Sequence, residues 1–275
     1  MDQSTQNLGT LKGKVLIFGG VYSNLQALDA LISVAEKENI PPENCICTGD
    51  IVGYCAQPND SVLRLKDWRA NIILGNVEIQ INDNANDCGC DFKAGSRCDD
   101  FSKNWYPFAK SQLDTKALEF IKSLPHHIKF KYAGKQVFVL HGSFFNVSEF
   151  IFKSTAWSVK QANFEATQSD TIVAGHSGLP FKQSKGNKTW INPGVIGMPA
   201  NDGLQSVWYA ILNDEQNKLS FEHHKLDYNF KLTHDLMIQN KLPNAYAETI
   251  LSGIWDNTEI LPTEETKQQG FEIDV

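Results

Sequence analysis

The sequence predicts a layered α/β domain of mixed β-sheets, and three observations carry that prediction. Short apolar runs alternate with amphipathic stretches over most of the chain, strands follow one another near its end, and five of the runs close on a glycine. At 275 residues, 41% hydrophobic and 21% charged, the chain holds enough apolar material for a core and reads as a single domain without internal repeats. No apolar run approaches the ~18 residues of a membrane span. Twenty-five Lys and Arg against 32 Asp and Glu give a net charge of -7. That is the opposite sign from a broad nucleic-acid binder, so no duplex partner is expected.

Val15-Leu16-Ile17-Phe18 is a buried-strand run, and Leu25, Leu28, Leu31, Ile32 and Ala35 then recur at helical spacing over 24–37. Residues 45–48 form a second strand, in which Cys45 and Cys47 alternate as core positions. A helix over 61–68 and a strand over 71–74 follow. Residues 79–112 break the rhythm with a polar, cysteine-bearing loop and a helix near 100–110. Beyond it lie a helix over 115–124, strands over 127–131 and 136–140, a helix over 158–166 and a strand over 171–174. Late strands over 189–192, 206–212 and 219–224 lead to a helical tail from 227, broken near Pro243 and Pro262. The expected domain spans 13–226, with 79–112 as an insertion capping it and 227–275 as a helical extension. Residues 1–12 and 263–275 are polar and expected to be loose ends. The first ten residues lack the features of a secretory signal, and six cysteines are too few for a disulfide scaffold, so a cytoplasmic protein with reduced thiols is expected.

The sharpest signal is a repeated strand-end grammar: Ile17-Phe18-Gly19-Gly20, Cys47-Thr48-Gly49-Asp50, Ile73-Leu74-Gly75-Asn76, Val139-Leu140-His141-Gly142 and Val173-Ala174-Gly175-His176. Sites in α/β domains form at the carboxyl ends of strands, where loops converge. An Asp or Asn after such a glycine is usually a turn residue or cap, and a lone strand-end His is usually structural. Four together point instead to a site: one carboxylate, one amide oxygen and two imidazoles suit Mn, Fe or Zn. A Rossmann-type reading fails, because Gly19-Gly20-Val21-Tyr22-Ser23 is not the Gly-x-Gly-x-x-Gly phosphate turn. His126, His127, His223, His224 and His234 lie outside the set and are read as surface or packing residues.

Over residues 14 to 226 these motifs resemble the calcineurin-like metallophosphoesterases, in their branch of small bacterial phosphodiesterases and phosphatases. The resemblance rests on Tyr22-Ser23-Asn24-Leu25-Gln26-Ala27-Leu28, Gly49-Asp50-Ile51-Val52-Gly53-Tyr54, Gly75-Asn76, His141-Gly142-Ser143, Gly175-His176 and Asn192-Pro193-Gly194, in the family's order. It implies a four-layer αββα sandwich and a binuclear centre for phosphoester hydrolysis. The family's opening Asp-x-His is here Gly20 and Tyr22, its Gly-Asn-His ends in Val77, and its Gly-His-x-His ends in Gly178. These losses remove the ligands of one metal except the bridging Asp50. They spare all four ligands that the resemblance assigns to the other: Asp50, Asn76, His141 and His176.

The expectation is therefore a phosphoesterase with one divalent metal, Asp50 and His141 as catalytic residues, and a small phosphorylated molecule as substrate. Tyr22 and Tyr54 are candidates to orient phosphate, although packing at the strand ends is their plainer role. The His missing at Val77 is the family's proton donor to the leaving group, which makes a non-catalytic ligand-binding or regulatory protein the alternative. Cys88, Cys90 and Cys98 allow a zinc site, a disulfide or free thiols. The spacing is not that of a standard zinc pair.

Overall fold

A computed structural model describes residues 4–90 and 92–275. Its frame is two mixed sheets packed face to face. The strands are β1 (Thr5–Thr10), β2 (Val15–Phe18), β3 (Cys45–Cys47), β4 (Asn71–Ile72), β5 (His127–Tyr132), β6 (Lys135–Leu140), β7 (Thr171–Ala174), β8 (Phe181–Lys185), β9 (Lys188–Asn192), β10 (Val207–Asn213) and β11 (Ser220–Leu226). One sheet runs β1-β5-β6-β7-β9-β8 and the other β11-β10-β2-β3-β4. Helices are α1 (Leu25–Lys37), α2 (Pro58–Trp68), α3 (Asn76–Asn82), α4 (Arg97–Gln112), α5 (Thr115–Lys122), α6 (Trp157–Thr167), α7 (Phe230–Gln239), α8 (Asn244–Ser252) and α9 (Thr263–Thr266).

Side-chain alternation explains the four layers. Val15, Ile17 and Ile46 of one sheet meet Val137, Val139, Val173 and Ile191 of the other in the central core. Leu16, Phe18, Cys45 and Cys47 point the opposite way, beneath Leu28 and Leu31 of α1 and Val62 and Leu65 of α2. Phe138, Leu140, Ile172 and Ala174 pack on their outer side against Phe164 of α6. With both faces buried, these strands read as unbroken apolar runs. β2, β3 and β4 are parallel, as are β6 and β7, so their carboxyl ends emerge together at one edge of the sandwich.

Four stretches differ from expectation. Residues 5–10 form an edge strand, β1, paired in parallel with β5, because β5 offers an open backbone edge that polar side chains do not prevent from pairing. β8 was hidden by its polar, edge-exposed sequence. It returns along β9 through Gly186-Asn187, with Gly186 at φ +61, a two-residue hairpin signal. Helix α3 runs from Asn76 into the segment expected as loop, and α4 is longer than expected. The chain end is also docked: Glu265 accepts from both the backbone N–H (2.9 Å) and the hydroxyl (2.6 Å) of Ser154, and Gly270 N–H donates to Asn201 O at 2.8 Å. Among the described residues, no helix is long and apolar enough to cross a membrane.

Candidate metal centre

The carboxyl ends of β3, β4, β6 and β7 deliver Asp50, Asn76, His141 and His176 to one buried spot. His141 Nε2 lies at its centre, 3.2 Å from Asp50 Oδ2, 3.1 Å from Asn76 Oδ1 and 3.1 Å from His176 Nδ1. Donor atoms of Asp50, His141 and His176 all fall within 4.8 Å of one another. Ligands held about 2.0–2.2 Å from one ion are separated from each other by roughly 3 Å, so the spacing fits a single divalent cation. Asp50 Oδ1 and His176 Nε2 are buried without a hydrogen-bond partner, as expected of polar atoms that await a further group.

Neighbouring groups fix how the donors point. His141 Nδ1–H donates to Thr48 O at 2.6 Å, which holds the ring and leaves Nε2 to face Asp50. Asn76 Nδ2 donates to Cys88 O (2.8 Å) and Cys90 Sγ (3.2 Å), turning the amide oxygen into the cluster. Phe150 stacks on His176 with centroids 4.2 Å apart. Asn192 ties down the His176 loop by donating to Gly175 O (3.0 Å) and Ser177 Oγ (2.9 Å). Asp50 and His176 both adopt left-handed backbone, at φ 55 and 60. Such strained positions cluster at functional sites.

Glycine is needed where these loops touch. A Cβ on Gly49, itself at φ +96, would lie 2.6 Å from Gly75 N, and a Cβ on Gly75 would collide with Asp50 Oδ1. Glu78, which the sequence reading passed over, ties the two loops. Its carboxylate accepts from the backbone N–H groups of Asp50 (2.9 Å), Gly75 (2.9 Å) and Val52 (3.0 Å). Only half a signal was available: Glu78, three residues after Gly75 at the helix start, caps the Gly75 N–H, but Gly75 has no side chain to complete a capping box.

Electrostatics follow burial and proximity. Burial opposes the charge on Asp50, yet His141 beside it brings its pKa below the ordinary value. Burial likewise opposes charge on His141, but Asp50 prevails and raises it. Burial and then the neighbouring His141 push His176 down to about 3, keeping that imidazole neutral and able to ligate. Burial and Asp50 raise Glu78 to about 7 against the backbone N–H groups that favour its charge.

The other half of the expected centre is filled differently. A Cβ on Gly20 would run into the Tyr22 ring, so the aromatic ring occupies the direction an acidic side chain would take. Tyr22 and Tyr54 meet edge to face, centroids 4.6 Å apart, and line a pocket together with Asp50 and His176. Burial raises both phenols well above their ordinary pKa, so they stay protonated. All six cysteines are free and buried in the structure. Among the described residues the metal-capable group of three is Asp50, His141 and His176, which includes no thiol. Cys98 Sγ instead meets Asn257 Oδ1 at 3.5 Å.

Known proteins repeat this architecture. Residues 14–217 match the calcineurin-like phosphoesterase superfamily domain. An uncharacterised protein of Methanocaldococcus jannaschii is 27% identical over 264 residues, covering 88% of this chain and 99% of that one. The crystal structure of a metallophosphoesterase from Sphaerobacter thermophilus aligns with a TM-score of 0.69 at 22% identity, over 89% of this chain and 100% of that one. A hypothetical protein of Pyrococcus horikoshii aligns with a TM-score of 0.73 at 20% identity, over 88% and 99%. The domain match covers well over half of the sequence, and the chain belongs to the calcineurin-like phosphoesterase superfamily.

Proposed function

We propose that this protein hydrolyses a small phosphoester with a single divalent ion, Mn, Fe or Zn, held by Asp50, Asn76, His141 and His176. The observation that carries the proposal is the position of His141 Nε2, 3.1–3.2 Å from one donor atom of each of the other three residues. A divalent ion bound there supplies Lewis acidity, polarising a phosphoryl oxygen and lowering the pKa of water. The chain's own part is placement and exclusion. Thr48 O holds the His141 ring, Glu78 sets the Asp50 loop, and Phe150 stacks on the His176 ring. Tyr22 and Tyr54, protonated and pocket-lining, act as hydrogen-bond donors to phosphoryl oxygens.

Val77 favours the second reading, a ligand-binding protein that does not turn substrate over. It stands, 3% exposed, where the family's proton donor would be, and it has no proton to give. General acid catalysis contributes about 10²–10⁴-fold, so a substrate with a good leaving group suits the hydrolytic reading better than an alkyl ester. The two readings separate with bis(p-nitrophenyl) phosphate and added Mn. Turnover that disappears in Asp50→Asn supports hydrolysis. Saturable binding without turnover supports the second reading, and neither would overturn both.

A further inference from the structure

The pocket beside the metal centre is walled on one side by residues that lie beyond the matched domain of 14–217: Tyr246 on α8, and Trp255, Asn257 and Ile260 after it. This segment is fastened deliberately. Trp255 N–H donates to Asn201 Oδ1 and its indole N–H to Pro199 O, both at 2.8 Å. Asp256 takes Arg97 in two hydrogen bonds of 2.5 and 2.7 Å, and Asn257 receives the Cys98 thiol. Asn201 thus serves as an anchor for this wall.

The wall stands where the second metal's ligands are missing. The Trp255 ring lies 3.6 Å from where a Cβ on Gly178 would sit, and the Tyr22 ring covers Gly20. Tyr54 continues the surface, with centroids 4.6 Å from Tyr22 and 4.8 Å from Tyr246. Aromatic faces and edges have therefore taken the place of charged ligands. Among the described residues that line the pocket there is no Lys or Arg, and the carboxylates are Asp50 and the Arg97-paired Asp256. A divalent ion neutralised by Asp50, with the Glu78 carboxylate behind it on the Asp50 N–H, carries at most one net positive charge, the match for a phosphodiester monoanion and not for a dianionic monoester.

We propose that the vacated half of the centre binds a flat aromatic ring carried by a singly charged phosphodiester, and that Trp255 and Tyr246 of the C-terminal segment determine this specificity. The inference rests on the metal-centred reading above, and the choice of ligands keeps the two separable. Stacking on a protein aromatic gives about tenfold or more in affinity.

Calorimetric titration of the Mn-loaded full chain with diphenyl phosphate, diethyl phosphate and phenyl phosphate at pH 8 tests it. Diphenyl phosphate is expected to bind at least tenfold tighter than either of the others. In Trp255→Ala and in Tyr246→Leu the ratio between diphenyl and diethyl phosphate is expected to fall toward one. Trp255→Phe is expected to keep most of it. Using the ratio separates lost recognition from a general loosening of the fold. Equal affinity for the diphenyl and diethyl esters would overturn this inference alone, as would a ratio unmoved in both variants. Tighter binding of phenyl phosphate would overturn the charge argument. Failure of every phosphate ester to bind would overturn the metal-centred reading and this inference with it.

Discussion

Nε2 of His141 has three hydrogen-bonding neighbours at 3.1–3.2 Å and room for only one proton or one cation among them. Because Asp50 raises the His141 pKa despite burial, an ion at the centre competes with a proton on that nitrogen. Apparent affinity for Mn should therefore fall as pH drops through the raised His141 pKa, which lies above the ordinary imidazole value of about 6.5. Isothermal titrations between pH 6 and 8.5 would check this, and a flat profile would contradict it. Glu78 acts one step further out. Glu78→Gln cannot accept all three backbone N–H groups, so Asp50 loses its fixed position. A drop of about 10–100-fold in metal affinity is expected, with the fold retained by circular dichroism. Affinity within twofold of wild type would show that the loops hold themselves. Strand-end placement made the four convergent side chains legible in the sequence. Glu78 was not legible in the same way, because its role lies in backbone contacts made across two loops.

At the scale of elements, the close approach of the loops after β3 and β4 is the tightest constraint in the site. Gly75→Ala drives a Cβ into Asp50 Oδ1, and overpacking of this kind typically costs about 1–3 kcal/mol. Lower denaturation midpoints together with weaker metal binding are expected, while Gly134→Ala, at a turn with no heavy atom within 4 Å of its Cβ position, should leave metal binding intact. Strands buried on both faces, such as β2, β6 and β7, announced themselves as apolar runs. β1 and β8 did not, because each lies at a sheet edge and is held by backbone pairing that polar sequence permits but does not advertise. The pocket's C-terminal wall was also invisible. A helical tail is recognisable from periodicity, but where it docks depends on contacts such as Trp255 with Asn201 across 54 residues of chain.

Over the whole molecule, the layered architecture was written in the alternation of apolar faces, and burial of polar groups sets how the fold responds to acid. Burial lowers His127 to about 4, and burial likewise lowers His223 to about 4. Above pH 6.5 both are neutral whether folded or not and contribute no pH dependence. Between 6.5 and about 4 the unfolded chain takes up protons that the folded one refuses, so stability declines through that window. His127→Phe keeps the ring packing beside Phe138 and Phe144 and should flatten part of the decline. Thermal denaturation of both proteins from pH 7.5 to 4.5 would reveal it, and parallel curves would refute it.

The proposed single metal position lies in a calcineurin-like phosphoesterase fold whose pocket carries an aromatic surface beside the Asp50 cluster. Anomalous diffraction at the Mn, Fe and Zn edges, on crystals of protein purified without chelator, tests it most directly. A single ion about 2.0–2.3 Å from donor atoms of Asp50, Asn76, His141 and His176 is expected. Two ions sharing Asp50, or none at that cluster, would contradict it.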